Sequence, residues 1–210
     1  MITSPMLRHA IGLGLFAVFT AGLIAVVHTQ TRDRAAANAE AYAARTLYEL
    51  VPADYFSAPI EDSHFSILEA PRAIAPERLS LRRDRAAFRA IRNDAVTAVV
   101  LPVTAPQGYT GDIDLLMAIE PDGTLLGVRV VAHQETPGLG DAIEADRSDW
   151  ILQFDGTSLS VPPPEQWAVR KDDGDFDQLT GATITPRAVV NAVRIGLEFF
   201  ADNREWLLAE

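Results

Sequence analysis

A threonine-rich turn is the most chemically suggestive part of this 210-residue chain. Residues 177–186 read DQLTGATITP and lead into an apolar pattern with helical spacing. A helix N-terminus offers unpaired N–H groups and the positive end of the helix dipole, which together favour bound anions. Gly181 and Ala182 have little or no side chain, so a phosphate group could approach the backbone there. The segment is therefore a candidate anion site.

The same turn has an interpretation that needs no ligand. Thr185 followed by Pro186 is a favoured pair for the N-cap and the first position of a helix. Thr180 and Thr183 are typical residues of a side-chain-stabilised turn. The segment also lacks the lysine and the glycine spacing of a P-loop. From residue chemistry alone, a capped turn is favoured over an anion site.

A second candidate site follows a predicted strand, where residues 133–141 read HQETPGLGD. Its two glycines and its proline predict a tight turn that could bring backbone amides against a flat ligand. His133 and Glu135 could serve in acid–base chemistry, but no nucleophile or metal partner stands near them in the sequence. A conventional hydrolase site is therefore disfavoured, and a binding turn and a structural turn stay equally open.

The composition excludes several classes of protein. The chain has no cysteine, which rules out disulfides, zinc ribbons, iron–sulfur clusters and thiol chemistry. Four histidines are too few for a histidine-rich metal site, and a net charge of −11 argues against nucleic acid as a partner. Hydrophobic residues make up 48% of the chain, so we expect one packed domain with a small appendage.

An apolar segment near the N-terminus predicts a membrane anchor. Residues 10–27 carry no charge, and a helix of that length spans about 27 Å, enough to cross a hydrocarbon core. The alternative is a cleaved signal peptide. No small-residue cleavage site follows Val27 directly, although the alanines at 35–37 keep cleavage open. We therefore predict an uncleaved anchor at 1–30, whose orientation the flanking basic residues do not decide.

The remaining chain is predicted to contain a linker and a mixed domain. Residues 33–50 are alanine-rich and predict a juxtamembrane helix that ends before Pro52, followed by loops with at most a short strand up to residue 76. A packed helix is predicted from Thr185 to Ala201. Short turns between Val- and Ile-rich segments predict antiparallel strands. These strands are expected at 87–91, 95–103, 113–119, 125–132, 150–154 and 167–170.

The predicted fold class is therefore α+β, an antiparallel sheet with packed helices and one N-terminal transmembrane helix. The expected domains are an anchor at 1–30, a helix and linker at 31–76, and the mixed domain at 77–210. Six arginines between Arg78 and Arg92 could bind phosphate or lipid, but a solvated strand edge is favoured. Four aspartates between Asp172 and Asp177 could bind calcium, but they match no EF-hand spacing and a solvated turn is favoured.

The two candidate sites together resemble the motifs of an FMN-binding family. The segment TGATIT at 180–185 is similar to the S/T-G-A-T flavinylation motif, with the acidic Asp177 upstream, and residues 133–141 resemble the family's second hallmark. With its single N-terminal span, the chain resembles the G subunits of the Rnf (Rsx) electron-transport complexes along nearly its whole length, most strongly over 102–200. The C subunits of the sodium-pumping NADH:quinone reductases are a related family, whose chains are typically longer.

The resemblance implies an FMN joined through its phosphate to Thr183, the threonine that ends the motif. A separate flavin transferase would move FMN from FAD onto the Thr183 hydroxyl in a step that needs Mg²⁺. No residue of this chain is assigned a catalytic role or a resident metal. The phosphate is expected beside Thr180, Gly181, Ala182 and Thr185, and the ring pocket is assigned to Glu135, Thr136, Leu139 and Gly140, with His133 at its edge.

The predicted protein is a membrane-anchored flavoprotein subunit that relays electrons inside a redox-driven, ion-translocating complex exchanging electrons between NADH and ferredoxin. Its expected partners are the other subunits, a flavin transferase and the bacterial inner membrane, with the N-terminus in the cytoplasm and the domain in the periplasm. The alternatives are the flavin-bearing subunit of a sodium-pumping NADH:quinone reductase and a flavin-free tethered binding or scaffold domain. A transferase or ligase is disfavoured, because the sequence offers no paired base and nucleophile.

Overall fold

The computed structural model describes residues 4–209, except for the side chains of residues 4, 33, 35–41 and 43. The chain divides into two units, Met1–Tyr42 and Ala43–Glu210. Its first element is helix α1, Ser4–Leu50, so the predicted anchor and juxtamembrane helix are parts of one helix. Within the first unit, the segment Pro5–Arg32 is long and apolar enough to cross a membrane. The predicted residues 1–3 of the anchor lie outside the described part of the chain.

The second unit is built on an antiparallel sheet of five strands in chain order. Four of them confirm predicted strands, because runs of Val, Ile and Leu between short turns favour antiparallel neighbours. The fifth is a strand of three residues at the edge of the sheet, in the segment for which the sequence predicted loops with at most a short strand. The strands are β1 at His64–Ser66, β2 at Ala86–Arg92, β3 at Ala95–Ala105, β4 at Ile113–Ile119 and β5 at Leu125–Ala132.

Helix α2, Ile184–Leu207, covers one face of this sheet. Alternate residues of β3, such as Val99, Leu101 and Val103, are fully buried in the core on that face. At Gly196 the helix lies so close to the sheet that a Cβ there would come within 2.5 Å of the Met117 sulfur. The helix is therefore packed directly against the sheet at this point. This packing also determines where the helix begins relative to the sheet.

The other face of the sheet is covered within the same unit by the end of α1. Leu47, Leu50 and Val51 pack there in a second apolar cluster with Ala98 and Val100, the intervening residues of β3. Side chains of a strand alternate between its two faces. Strand β3 is therefore buried on both sides, which accounts for its nearly continuous apolar sequence.

The predicted strands at 150–154 and 167–170 are wrong. Asp149–Phe154 is a 3-10 helix, and the second segment runs between two short 3-10 turns. The aromatic residues that suggested strands form a cluster instead, in which the Phe154 ring lies 4.9 Å from that of Phe176 and the Trp167 ring 4.8 Å from it. These segments are rich in aromatic residues because their side chains are buried in the core, and not because the backbone forms a strand.

The solvated interpretation of the arginine cluster is also wrong for two of its members. The Arg85 side chain is only 12% exposed and lies 3.1 Å from an Asp114 oxygen. Arg89 donates a 2.8 Å hydrogen bond to the Leu207 carbonyl and lies over the Phe65 ring. Arg85, directly before β2, is thus bound to β4, and Arg89 joins β2 to the end of α2, so neither is available to a phosphate or a lipid.

Candidate functional site

Three loops enclose a cavity of about 430 Å³ at one edge of the sheet. They are the β3–β4 loop, the loop after β5 and the turn before α2. The antiparallel register brings the first two together, because Asp114 at the start of β4 pairs with Ala132 at the end of β5. The cavity is lined by Tyr109, Glu135, Thr136, Leu139, Gly140, Gly181, Ala182, Thr183, Ile184 and Thr185.

The carboxylate of Glu135 joins its own loop to the β3–β4 loop and to the first turn of α2. Its Oε1 accepts 3.0 Å hydrogen bonds from the backbone N–H and from the hydroxyl of Thr110, and its Oε2 accepts one from the Thr185 hydroxyl. Glu135 is 4% exposed and Thr185 is fully buried. Burial by itself would raise the pKa of Glu135, but the hydrogen bonds outweigh burial and the pKa lies below its ordinary value. The side chain is therefore a buried, ionised connector in the cavity wall.

His133 lies behind the cavity and does not line it. Its Nδ1 accepts a 2.9 Å hydrogen bond from the Glu135 backbone N–H, and its Nε2 lies 2.6 Å from a Glu144 oxygen. An imidazole that accepts at Nδ1 carries its proton at Nε2, which then donates to Glu144. His133 therefore fixes the backbone of the loop that carries Glu135.

Two glycines bring backbone close to the cavity. A Cβ at Gly140 would lie 2.9 Å from the Glu135 carboxylate and 3.2 Å from the Thr185 hydroxyl oxygen. Gly181 has a φ of +83°, and a Cβ there would lie 2.9 Å from a Leu139 methyl carbon. Any larger residue would move the wall of the cavity at either position. These glycines therefore keep the space between the two motifs open.

The start of α2 differs from its prediction. The N-cap is Thr183, with φ −87° and ψ −31°, and Ile184 is the first helical residue. Thr185, predicted as the cap, lies inside the helix and turns its hydroxyl to Glu135. The side chain of Thr183 makes no capping hydrogen bond, and the residue is exposed at the cavity. Its hydroxyl is therefore not used by the helix that it begins.

The structure brings eight of the ten predicted site residues to one cavity. Thr180, like His133, is not among the residues that line it, and Thr180 is exposed in the preceding turn. Sequence reasoning missed Tyr109 and Ile184. Ile184 stood inside the TGATIT segment, whereas Tyr109 could have been found by placing the β3–β4 and post-β5 loops at the same edge of an antiparallel sheet.

Contacts of Asp177 fix the start of the segment that leads to Thr183. The Asp177 backbone N–H donates a 2.6 Å hydrogen bond to Gln153, and its carbonyl accepts one of 2.6 Å from the Trp150 indole. The Asp177 carboxylate lies 2.9 Å from Arg170.

In the part of the chain that the structure describes, the acidic residues form no group suited to a metal ion.

Comparison with known proteins identifies the class to which this site belongs. The model of the FMN-binding domain family matches residues 108–198, a range that contains every residue of the cavity lining given above. A second model, of the RnfG N-terminal region, matches residues 1–50. The chain thus contains an RnfG-type N-terminal region and an FMN-binding domain.

Curated relatives define the family more narrowly. The G subunit of the ion-translocating oxidoreductase complex of Pseudomonas aeruginosa is 48% identical over 97% of this chain and 92% of its own length. The G subunits of Shewanella oneidensis and Vibrio vulnificus are 38% and 39% identical over 100% and 96% of this chain and over 96% and 92% of their own lengths. The chain belongs to the G-subunit family of ion-translocating oxidoreductase complexes. The prediction of an oxidoreductase subunit with an FMN-binding domain is thereby confirmed.

Proposed function

We propose that this protein relays electrons through an FMN attached covalently, by its phosphate, to the hydroxyl of Thr183. The observation that carries the proposal is the state of that hydroxyl: it lies at the lining of the cavity, the residue is exposed, and it makes no capping hydrogen bond. A hydroxyl engaged in a cap or buried in the core, as that of Thr185 is, would be a poor acceptor for a large group.

The residues of the cavity fit a phosphate and a flat ring. The first turn of α2 contains no acidic residue, so the positive end of the helix dipole faces a phosphate at Thr183 without repulsion from that turn. Gly181 and Gly140 leave room that a Cβ would fill. Leu139 and Ile184, 44% and 46% exposed, offer apolar surface to a ring.

The attachment is a transfer of FMN from FAD. The Thr183 oxygen attacks the FMN-side phosphorus, the phosphoanhydride bond of FAD breaks, and AMP leaves. The hydroxyl proton goes to a base of the transferase, and no oxidant or reductant is needed. The Mg²⁺ of this step belongs to the transferase, whose acceptor is the Thr-Gly-Ala-Thr turn. Once bound, the flavin supplies one- and two-electron transfer.

The role of the chain is to hold that group at a redox partner. We propose that the complex couples electron flow between NADH and ferredoxin to ion movement, that the segment 5–32 spans the bacterial inner membrane, and that the domain lies on the periplasmic side. The apolar segment 10–27 has no charged side chain and therefore offers no ion path of its own. Ions would cross through other subunits.

Flavin fluorescence of the denatured protein tests the attachment. The full chain is produced with and without a flavin transferase, separated in a denaturing gel and imaged for flavin. A band that requires the transferase and disappears in Thr183→Val supports the proposal. Thr180→Val is the matched control, because Thr180 is an exposed threonine of the same turn that does not line the cavity, and it should keep the band. A dark wild-type band beside an active transferase would leave a flavin-free tethered domain.

A further inference from the structure

We propose that Tyr109 is the residue against which the flavin ring stacks, and that Glu135 holds it in position through the neighbouring Thr110. This inference rests on the proposed function, because it requires a flavin on Thr183. It assigns a role to a residue that lies 74 positions before the attachment point in the sequence.

Tyr109 is the one aromatic residue among the ten that line the cavity. Its side chain is 67% exposed, more than those of the apolar lining residues Leu139 and Ile184. A large aromatic side chain that is left uncovered beside an open cavity has an unused face. A flat conjugated ring is the shape that such a face accommodates, with gains in burial and in stacking.

The backbone around Tyr109 is fixed although its side chain is exposed. The N–H of the next residue, Thr110, donates to Glu135, and the single hydroxyl hydrogen of Thr110 is shared between the Gln134 carbonyl at 2.5 Å and the Glu135 carboxylate at 3.0 Å. The loop is tightly folded, because a Cβ at Gly108 would overlap the Gly111 carbonyl oxygen. Asp112 closes the loop with a 2.7 Å ion pair to Arg82. The backbone that carries the Tyr109 ring is therefore held in place before any ligand arrives.

The Glu135 carboxylate also contacts the helix that begins at the proposed attachment point. Glu135 accepts from Thr185, two residues beyond Thr183, with the oxygen that is not used by Thr110. One carboxylate thus sets the spacing between the loop of Tyr109 and the start of α2. We therefore treat Glu135 and Thr110 as positioning residues and Tyr109 as the residue that touches the ring.

Native-state flavin spectra test the stacking. A phenol stacked on a flavin quenches its fluorescence by donating an electron to the excited ring, and a ring held in a chiral site shows visible circular dichroism. In flavin-loaded full-length protein, Tyr109→Leu should raise the native fluorescence severalfold and weaken the dichroism, since a stack of this kind changes the ratio of stacked to unstacked rings roughly fivefold. Tyr109→Phe should raise the fluorescence but keep the dichroism, because it loses the phenol and keeps the stack.

Two further variants complete the design. Tyr48→Phe removes the hydroxyl of a tyrosine outside the cavity lining and should leave both signals unchanged. Thr110→Val removes the hydroxyl hydrogen that is shared between Gln134 and Glu135 but keeps the N–H bond to Glu135, so it should raise the fluorescence less than Tyr109→Leu. Wild-type spectra in Thr110→Val would overturn the positioning role.

The denaturing gel separates this inference from the proposed function. A fluorescent gel band combined with unchanged native spectra in Tyr109→Leu and Tyr109→Phe would overturn the stacking and leave the attachment at Thr183 standing. A dark band for the wild-type protein beside an active transferase would overturn both the attachment at Thr183 and the stacking on Tyr109.

Discussion

Thr185 donates its hydroxyl hydrogen bond to the carboxylate of Glu135, a residue 50 positions earlier in the chain. Both residues are almost completely buried. The contact joins the two segments that the sequence suggested as separate sites, and it makes them opposite walls of one cavity. It also explains why Thr185 is not the cap of α2, since its hydroxyl is already used.

The first prediction concerns the pH dependence of stability that Glu135 confers. Its folded-state pKa is lowered, so its stabilising contribution is complete above the unfolded-state pKa of about 4.3 and is lost as pH falls below that value. Glu135→Gln should therefore cost about 1–3 kcal/mol near neutral pH and progressively less in acid. Urea unfolding of the full chain in detergent, followed by tryptophan fluorescence at neutral and acidic pH, measures both differences. An equal cost at both pH values would contradict the assignment.

The second prediction separates backbone strain from closure of the cavity. Gly181→Ala and Gly123→Ala both place a side chain at positive φ, +83° and +98°, and each should lose about 1–2 kcal/mol of stability. Only at Gly181 does the new Cβ meet a neighbour, the Leu139 side chain, whereas Gly123 has open space around it. Flavin fluorescence per mole of denatured protein should therefore fall in Gly181→Ala and not in Gly123→Ala. Equal incorporation in both variants would show that the cavity tolerates the added methyl group.

The third prediction is that Thr183 contributes little to the stability of the flavin-free protein. Replacing an N-cap threonine that makes its side-chain hydrogen bond typically costs about 1 kcal/mol. Thr183 makes no such bond, so Thr183→Ala should change the free energy of unfolding by less than about 0.5 kcal/mol. Thr185→Val removes the buried donor to Glu135 and should cost about 1–3 kcal/mol. Urea unfolding without the transferase ranks the two variants, and a large loss in Thr183→Ala would refute the assignment of a free hydroxyl.

The fourth prediction is that the domain lies on the periplasmic side of the membrane. The natural chain has no cysteine, so one introduced thiol reports one position. Ser160→Cys lies at an exposed residue of the second unit and should react with a membrane-impermeant maleimide in intact cells. Ser4→Cys, before the apolar segment in the sequence, should react only after lysis. The reverse pattern would place the domain in the cytoplasm.

The sequence predicted those elements in which local pattern and burial agree. Strands β3, β4 and β5 combine apolar side chains with turn residues at both ends, and their predicted bounds differ from the structure by at most two residues. The extent of α2 was less well predicted, since its apolar spacing weakens after Ala201 while the helix continues to Leu207. That last turn is stabilised by tertiary contacts, such as the hydrogen bond that Arg89 donates to the Leu207 carbonyl.

Long-range polar contacts could not be predicted from the sequence. The positions of His133 and Glu135 depend on Glu144, Thr110 and Thr185, and none of these pairings leaves a local signature. The ring-pocket role given to Glu135 followed from its motif, whereas the structure shows its carboxylate committed to the cavity wall. The aromatic residues led to wrong strand predictions for a related reason. The preference of Trp and Phe for strands reflects burial of their side chains, and a 3-10 helix such as Asp149–Phe154 buries them equally well.

The unused hydroxyl of Thr183 has a consequence for the order of events in the life of the protein. Because α2 does not use that side chain as a cap, we expect the domain to complete its fold without the flavin. Under the attachment proposed above, the transferase would meet a finished acceptor rather than a nascent chain. Cells short of flavin would accumulate a folded, unloaded protein, and electron flow could recover on resupply without new protein synthesis.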